Sequence, residues 1–501
     1  MSKTFRRALT VAAIVAACTL VMRAEIAKGD AELQFQLATL LFDETRYQEA
    51  LDAYAKASQS DDPALAQRAR KGKIRTELRV AEFWMALQDA EHLRADFPTD
   101  PEALSLHADA LWSSGLFDES DRAYRDALAL APGLSRARFG LARSLATRSR
   151  LSEALDEALL ASAAAPRDGD IHAGLGEIYE QLNRYDEAAN AFTNYINLLP
   201  NKDRSDKAAW SRTQVRFLEA FEGKTPSEID DEDAHTLHTV PFRLVKDKIV
   251  IKGSVNGGRP MDFTLDTGSE ETVISRETAQ RTGVQPITYT LSAGVGEVGL
   301  RGLQLARLDR LNFGTLEVRN VPVLIKNPAL RGIPKREGES FSPLTFGMSM
   351  KIDYQNRLLI IGRDLPKSGS EIALPMRVHR LPMVRGVVNT NHPAYFVVDT
   401  GGEVMSISTD TAGMLEKSSY RRIPLKVYGT SGWDRDAFLL PGVSLNFNQI
   451  EYRNVPMVVL NLRAPSVLLG FQVGGIVGHK FLSSYRVSMD MARSELRMEK
   501  F

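Results

Sequence analysis

The stretch FTLDTGSEETVIS at 263–275 is nearly repeated as FVVDTGGEVMSIS at 396–408. Each copy consists of an apolar run, the triplet Asp-Thr-Gly and a second apolar run. Short apolar runs that are separated by a glycine-containing turn are typical of buried β-strands joined by a tight loop. The chain therefore carries the same strand–loop–strand unit twice, and the two aspartates, Asp266 and Asp399, lie 133 positions apart.

The duplication extends well beyond these two loops. RLNFGTLEVRNVPVLI at 310–325 matches SLNFNQIEYRNVPMVVL at 444–460, and the shared RNVP motifs are offset by 134 positions. The two offsets agree to within one residue, as expected for two copies of one folding unit. We therefore predict two β lobes, one over 240–368 and one over 369–501.

This constellation resembles the aspartic proteases of the retropepsin and pepsin type, in which each of two lobes supplies one Asp-Thr-Gly loop. The segment GGIVGHKFLSSYRVSMDMARSELRME at 474–499 also resembles the end of a lobe in that family. The resemblance covers about half of the chain. It implies an all-β bilobed fold and hydrolysis of peptide bonds by an endopeptidase, with Asp266 and Asp399 as the catalytic pair and protein or peptide as the substrate.

Two adjacent carboxyl groups share one proton, and such a pair activates a water molecule without any metal or cofactor. The predicted metal set and cofactor set are accordingly empty. The resemblance implies that the residues after each aspartate support the pair. These are Thr267, Gly268 and Ser269 in the first loop, and Thr400, Gly401 and Gly402 in the second.

The two loops differ at their fourth position. The resemblance implies that the Ser269 hydroxyl donates a hydrogen bond to Asp266, whereas Gly402 has no hydroxyl to donate to Asp399. Because a hydrogen bond to the charged form lowers a pKa, we expect Asp399 to be the holder of the shared proton.

The end of the first lobe departs from the family pattern. FSPLTFGMSMKIDYQNRLLIIG at 341–362 stands where an apolar-apolar-Gly segment is expected. An alignment that matches Asp353 with Asp490 pairs Phe341 with Gly478. An alignment that matches Gly347 with Gly478 instead makes the first lobe six residues shorter between this glycine and the aspartate. Both alignments remain open at this point.

Two glycine-rich segments are predicted to form hairpin flaps over the substrate. They are LSAGVGEVGLRG at 291–302 and VYGTSGWDRDAF at 427–438. Flaps of this kind exclude water from the reacting groups. The candidate substrate-contacting residues in these flaps are Gly294, Gly296, Tyr428, Gly429 and Trp433; the two aromatic side chains fit packing beneath the hairpin equally well.

The first half of the chain is a repeat array. Prolines recur every 34 residues, at positions 98, 132, 166 and 200, and small residues precede each proline by 12 positions. This pattern resembles the tetratricopeptide repeat. It predicts an α-solenoid over 31–222 that ends in a capping helix, followed by a polar linker over 223–239. A solenoid of this kind presents a concave surface for a protein partner, and a spacer or a dimerisation arm is the alternative.

The first 30 residues resemble a secretory signal. The basic start MSKTFRR precedes an apolar run from Ala8 to Met22, which is short for a transmembrane helix. The run contains the chain's single cysteine, Cys18, in a lipobox-like VAAC. A lipoprotein, a cleaved signal and an uncleaved anchor all fit. Each of them places the protein in the cell envelope, on the periplasmic side, with membrane attachment through the N-terminus if it is lipidated or uncleaved.

Composition narrows the remaining function classes. The chain has 63 basic and 63 acidic residues, so no excess positive charge points to nucleic acid as a partner. A single cysteine rules out an internal disulfide and a Cys-x-x-Cys site. The main alternative to a protease is a non-catalytic peptide-binding or scaffold protein of the cell envelope that retains the protease fold.

Overall fold

The computed structural model describes residues 29–296, 300–326, 338–367, 369, 371–415 and 422–501. A solenoid of helical hairpins is followed by a β-rich region, which confirms the predicted fold class. The signal segment and Cys18 lie outside the described residues. Within those ranges no helix combines the length and the apolar character that a bilayer span requires.

The solenoid is built from antiparallel helix pairs. Each of the prolines at 98, 132, 166 and 200 lies two residues beyond the last residue of a helix, because proline cannot continue one. The small residues Ala86, Ala154 and Ala188 are fully buried. The helices are α1 (29–43), α2 (Tyr47–Ala57), α3 (Pro63–Arg79), α4 (Phe83–Asp96), α5 (Pro101–Ser113), α6 (Phe117–Leu130), α7 (Ser135–Thr147), α8 (Leu151–Ala164), α9 (Gly169–Gln181), α10 (Tyr185–Leu198) and α11 (Asp206–Glu219).

The chain divides into two compact units. One consists of the residues up to 114 together with 118–134, and the other consists of 115–117 and 135–501. The second unit thus holds helices α7 to α11 as well as the whole β region.

The segment that was predicted as a polar linker is attached to the first lobe. The Ser227 N–H donates to the Asn320 carbonyl, and Glu228 and Arg319 exchange backbone hydrogen bonds. A short helix, α12 (Asp231–Ala234), follows, and strand β1 (His238–Pro241) begins before position 240. The segment is therefore part of the folded unit and not a free tether.

The first lobe is an eight-stranded sheet of order β2-β3-β4-β9-β5-β8-β7-β6, with an additional pairing of β3 with β7. Its alternating or fully apolar strands bury a continuous core. The elements are β2 (Arg243–Val245), β3 (Lys248–Val255), β4 (Met261–Leu265), β5 (Thr272–Ser275), α13 (Arg276–Thr282), β6 (Pro286–Ala293), β7 (Leu300–Phe313), β8 (Leu316–Lys326), β9 (Glu339–Phe341), β10 (Ser349–Asp353) and β11 (Leu358–Gly362). A 3₁₀ turn, Pro343–Phe346, follows β9.

The second lobe repeats this arrangement in the order β13-β14-β21-β15-β20-β19-β16, with an additional pairing of β13 with β19. Its elements are β12 (Ile372–His379), β13 (Leu381–Val388), β14 (His392–Val398), β15 (Ser406–Ser408), α14 (Thr409–Met414), β16 (Ile423–Pro424), β17 (Val427–Gly429), β18 (Gly432–Asp434), β19 (Phe438–Phe447), β20 (Ile450–Leu460), α15 (Arg463–Leu469), β21 (Gly475–Val477), α16 (His479–Leu482), β22 (Tyr485–Asp490) and β23 (Glu495–Lys500).

Six strands from the two lobes form a shared sheet of order β1-β11-β10-β22-β23-β12. The two lobes meet at the pairing of β10 with β22, where Ile352 lies opposite Val487. This sheet fixes one lobe relative to the other and thereby fixes the two Asp-Thr-Gly loops relative to each other.

Candidate active site

The two aspartates occupy equivalent positions in the two lobes. Asp266 follows β4, which is parallel to β9, and its N–H donates to the Phe341 carbonyl at 2.9 Å. Asp399 follows β14, which is parallel to β21, and its N–H donates to the Val477 carbonyl at 3.0 Å. Each aspartate therefore begins a loop whose start is anchored on a neighbouring parallel strand.

The two threonines hold the loops together across the lobe boundary. The Thr267 N–H donates to Thr400 Oγ1 at 3.1 Å, and the Thr400 N–H donates to Thr267 Oγ1 at 3.0 Å. The Thr267 hydroxyl donates to the Val398 carbonyl, and the Thr400 hydroxyl donates to the Leu265 carbonyl. Both side chains are almost fully buried. This reciprocal clamp fixes the loops in an approximately symmetric pair.

The glycines after the threonines lie close to the two carboxyl groups. The N–H groups of Gly268 and Gly401 donate to Oδ1 of Asp266 and Asp399, respectively, at 3.1 and 2.7 Å. A Cβ on Gly268 would lie 2.5 Å from Cγ of Asp399, and one on Gly401 would lie 2.5 Å from Oδ1 of Asp266. Each glycine thus lies against the carboxyl group of the opposite lobe.

The hydrogen bond that the resemblance implied for Ser269 is not present. Its hydroxyl donates to the Glu271 carbonyl at 2.8 Å, which closes a local turn, and not to Asp266. A Cβ on Gly402 would lie 2.7 Å from Oδ2 of Asp399. The fourth loop position therefore differs between the lobes for steric reasons, and the expected difference in proton affinity loses its structural basis.

Both alignments considered for the end of the first lobe are wrong. The structure pairs Phe341 with Val477, because each accepts the aspartate N–H of its own lobe, and Ser342 then stands where Gly478 stands. A Cβ at Gly478 would lie 2.7 Å from the Val404 carbonyl oxygen. In the first lobe, Ser342 leads directly into the 3₁₀ turn and is only 1% exposed. The strand that supports the Asp266 loop therefore keeps its place in the sheet, but a serine stands where the second lobe has a glycine.

The two glycine-rich segments form hairpins that touch each other. The Gly294 N–H donates to Ser431 Oγ at 3.1 Å, and the Ser431 N–H donates to the Val295 carbonyl at 3.0 Å. Arg301 also donates to the Thr430 carbonyl at 2.5 Å. The first hairpin joins β6 to β7, and the second joins β17 to β18; residues 297–299 lie outside the described ranges. The hairpins bridge the two lobes as a pair of flaps.

The two Asp-Thr-Gly loops open into a cavity of about 1270 Å³. The cavity contacts the first loop through Asp266 and Gly268 and the second loop through Gly401. Its remaining walls include the flaps, β7 and β8, the 3₁₀ turn after β9, the turn between β12 and β13, and helices α9, α10, α11 and α15. The last repeats of the solenoid therefore share a cavity with the candidate catalytic residues.

The flap residues divide into two groups. Gly429 lines the cavity together with Thr430 and Ser431. Tyr428 and Trp433 are opposite each other across the hairpin, with ring centroids 5.4 Å apart, and neither is among the lining residues. Gly294 and Gly296 also lie outside the lining, at the contact with the second hairpin; a Cβ on Gly296 would lie 2.3 Å from the Ser431 carbonyl carbon. The two rings contact each other, and Tyr428 is exposed, so packing beneath the hairpin does not describe it.

Four carboxyl groups line the cavity where the solenoid approaches the first loop. Glu270 and Glu271 follow directly after Asp-Thr-Gly-Ser, and Glu177 and Glu180 project from α9. Arg380, in the turn between β12 and β13, forms an ion pair with Glu270. Sequence reasoning missed this group, because nothing in the repeat pattern indicates which helix reaches the protease lobes.

Burial dominates the electrostatics of this group. It raises the pKa of Glu271 to about 8, and the charges of Glu270 and Glu180 add to the effect, whereas Arg380 opposes it. Burial likewise raises the pKa of Glu180 to about 7, against a hydrogen bond from Gln214. It also raises the pKa of Glu177. These carboxyl groups are thus harder to ionise than solvent-exposed ones.

Across the described part of the chain, no three His, Cys, Asp or Glu side chains are grouped closely enough to hold a metal ion. The groups that face the cavity near Asp266 are carboxyl, hydroxyl and backbone N–H groups. Such groups suit proton transfer and hydrogen bonding to a peptide backbone.

Comparisons with known proteins follow the same division of the chain. A family model for aspartyl protease matches residues 251–350, and one for the tetratricopeptide repeat matches residues 105–168 and 157–201. No curated protein matches the chain at a significant level.

Among solved structures, TTC0263, a thermophilic TPR protein of Thermus thermophilus, is 18% identical with a TM-score of 0.32. The match covers 37% of this chain and 98% of that one. MamA 41-end from Desulfovibrio magneticus RS-1 is 15% identical with a TM-score of 0.25, and the match covers 34% and 94%. The chain is thus similar to tetratricopeptide-repeat proteins over 105–201 and to aspartyl proteases over 251–350.

Proposed function

We propose that the protein is an aspartic endopeptidase in which Asp266 and Asp399 share one proton. The ionised carboxylate takes a proton from a water molecule as the water oxygen attacks a peptide carbonyl carbon. The protonated partner donates to the developing oxyanion. The C–N bond then breaks as the amide nitrogen receives a proton from the pair.

The observation that carries this proposal is the reciprocal clamp of Thr267 and Thr400. Its four hydrogen bonds place two Asp-Thr-Gly loops of different lobes side by side. A fold that only bound peptides would have no chemical need for two carboxyl groups in this arrangement, since two like charges at close range are costly. Proton sharing removes that cost and supplies both a base and an acid.

The flaps and the cavity support the same reaction. The contact between Gly294 and Ser431 joins the two flaps, and flaps that exclude water strengthen the electrostatic interactions beneath them. A cavity of about 1270 Å³ accommodates several residues of an extended peptide.

The test uses Asp266→Asn and Asp399→Asn. Each change keeps the size of the side chain but removes the shared proton, so each should lower peptide cleavage by at least about 100-fold while leaving the melting temperature near native. Asp262→Asn is a matched control, because Asp262 is exposed on β4 and pairs with Arg243 and Lys252. Cleavage is measured by mass spectrometry on a diverse peptide library.

The same library distinguishes the alternative function. If the native protein binds peptides in the cavity but cleaves none of them, it is a non-catalytic peptide-binding protein. A single dyad variant that retains substantial activity would show that the carboxyl groups do not act as a pair.

The solenoid and the N-terminus extend the proposal to partner and location. A tetratricopeptide-like surface is suited to a protein partner, and we place the protein in the cell envelope, on the periplasmic side, on the strength of its first 30 residues. If Cys18 is lipidated, Cys18→Ser should move the protein from the membrane fraction to the soluble fraction. An unchanged distribution would leave a cleaved signal or an uncleaved anchor.

A further inference from the structure

The last repeats are fixed to the first lobe and are not merely tethered to it. Phe217 of α11 and Phe221 pack in one buried cluster with Leu305 of β7 and Leu324 of β8. Helix α7 is attached separately, through hydrogen bonds from Arg377 of β12 to Ser144 and Thr147. The face that these helices present to the cavity is therefore a stable wall.

Carboxyl groups outnumber cationic groups on that wall. Glu177 and Glu180 of α9 face Glu270 and Glu271 of the loop that follows Asp266. The cations that act on them are Arg380, which is paired with Glu270, and Arg143, which acts on Glu177. Two guanidinium groups therefore face four carboxyl groups.

Two of these carboxyl groups lack hydrogen-bonding partners. Glu180 accepts a hydrogen bond from Gln214, whereas the carboxyl groups of Glu177 and Glu271 make none with any described residue. Glu177 is exposed and Glu271 is half-buried, and both line the cavity. An accessible carboxyl group without a protein partner is free to pair with a cation that enters the cavity.

A second, independent feature indicates that the cavity receives a ligand. The hydroxyl of Ser342, which lines the same cavity, is buried and has no partner among the described residues. Buried polar groups in proteins are normally satisfied. An extended peptide brings backbone donors and acceptors and therefore suits this site.

We infer that the wall formed by α9 and the loop after Asp266 is a substrate subsite that binds a cationic group of the peptide. This group is a Lys or Arg side chain. The carboxyl groups are distributed along the wall, and no three of the described ones are close enough to hold one metal ion. Such a spread suits a cation on a flexible stem, which can reach several acceptors. The reaction at this subsite rests on the proposed function, but its binding preference does not.

The test measures binding to the full-length Asp266→Asn protein, so that cleavage does not interfere. Fluorescent peptides of one sequence carry Lys, norleucine or Glu at a single scanned position, each with an acetylated N-terminus. Binding is measured at about pH 9, where carboxyl groups of pKa about 7 and 8 are ionised. The cationic peptide should bind about tenfold more tightly than the neutral one, and the acidic peptide should bind most weakly.

The double variant Glu177→Gln, Glu180→Gln, made in the same background, should remove most of this preference. Glu187→Gln is the matched control, because Glu187 is exposed on α10, pairs with Arg184 and does not line the cavity. Weaker binding on replacement of Lys by norleucine assigns the subsite to the cationic side chain.

Equal binding of the three peptides, binding of none of them, or an unchanged preference in the double variant would overturn the inference. The comparison of the three peptides requires no folded variant of the wall. Cleavage by the native protein is scored separately. A cationic preference without cleavage would contradict the proposed reaction and support the subsite. Cleavage without a cationic preference would support the reaction and contradict the subsite.

Discussion

At the scale of single residues, the site depends on how closely each loop approaches the other. Gly268 and Gly401 have no left-handed backbone angle, so they are not needed for conformation. They are needed because any side chain there would displace the carboxyl group of the opposite lobe. The same reasoning applies to Gly402, which lies against Asp399 within its own loop.

We therefore predict that Gly268→Ala and Gly401→Ala lower kcat by more than about tenfold, because a displacement of an ångström in a reacting group has effects of this size. Gly413→Ala, on α14, is the control: it has open space around it, and alanine favours a helix. Peptide cleavage and melting temperature are measured for all three. Full activity in a correctly folded Gly268→Ala protein would show that Gly268 does not lie against the carboxyl group of Asp399 as the structure indicates.

The hydroxyl of Ser269 supplies a second prediction at this scale. Because it donates to the Glu271 carbonyl and not to Asp266, Ser269→Ala should leave both limbs of the pH–rate profile of kcat/KM in place. A hydrogen bond to an ionised carboxylate lowers its pKa, so a shift of a limb toward alkaline pH in this variant would instead show that the hydroxyl acts on the pair during catalysis.

At the scale of elements, the sequence pattern predicted what depends on local composition. The prolines at 34-residue intervals predicted the ends of the helices, and the duplicated RNVP segments predicted equivalent strands, β8 and β20. The pattern did not predict the alignment of Ser342 with Gly478, because that pairing is set by hydrogen bonds between strands distant in sequence. The contact between the two flaps was not predicted for the same reason, because it joins segments that are distant in sequence.

The flap contact can be weakened without changing either hairpin's backbone. Ser431→Ala removes one hydrogen bond to the Gly294 N–H and keeps the bond from the Ser431 N–H to the Val295 carbonyl. A neutral hydrogen bond contributes about 1 kcal/mol, so flap opening should become several-fold more frequent and kcat/KM should fall by a similar factor. Faster hydrogen exchange confined to the two hairpins would accompany this change. Unaltered exchange and kinetics would mean that the contact does not govern access to the site.

At the scale of the whole molecule, repeats and protease lobes are not separable at the predicted linker. Removing residues 1–222 would expose Leu305 and Leu324, which Phe217 and Phe221 cover. Burial of a phenylalanine is worth about 3–5 kcal/mol relative to alanine. We therefore predict that residues 223–501 alone melt at a lower temperature and aggregate, whereas residues 115–501, which retain the second compact unit, remain folded. Equal melting temperatures of the two truncated proteins would show that the repeats contribute nothing to the lobes.

The carboxyl groups between α9 and the first loop make stability depend on pH. Burial, followed by the charges of Glu270 and Glu180, raises the pKa of Glu271 from 4.5 to about 8 on folding; Arg380 acts in the opposite direction. The folded protein therefore holds this proton more strongly than the unfolded chain does. The resulting stabilisation is fully present below about pH 4.5 and is lost as the pH rises through about 8.

We therefore predict that the melting temperature of the native protein falls more between about pH 5 and about pH 9 than that of Glu271→Gln, in which the group cannot ionise. Comparing the two proteins cancels contributions from groups that titrate independently of Glu271. Glu187→Gln should follow the native curve, because Glu187 is exposed and Arg184 lowers its pKa.

A Lys-containing peptide should recover part of the lost stability at about pH 9, since ligand binding to the folded state stabilises it. Parallel curves for the native protein and Glu271→Gln would mean that the solenoid does not hold Glu271 away from solvent as the structure indicates.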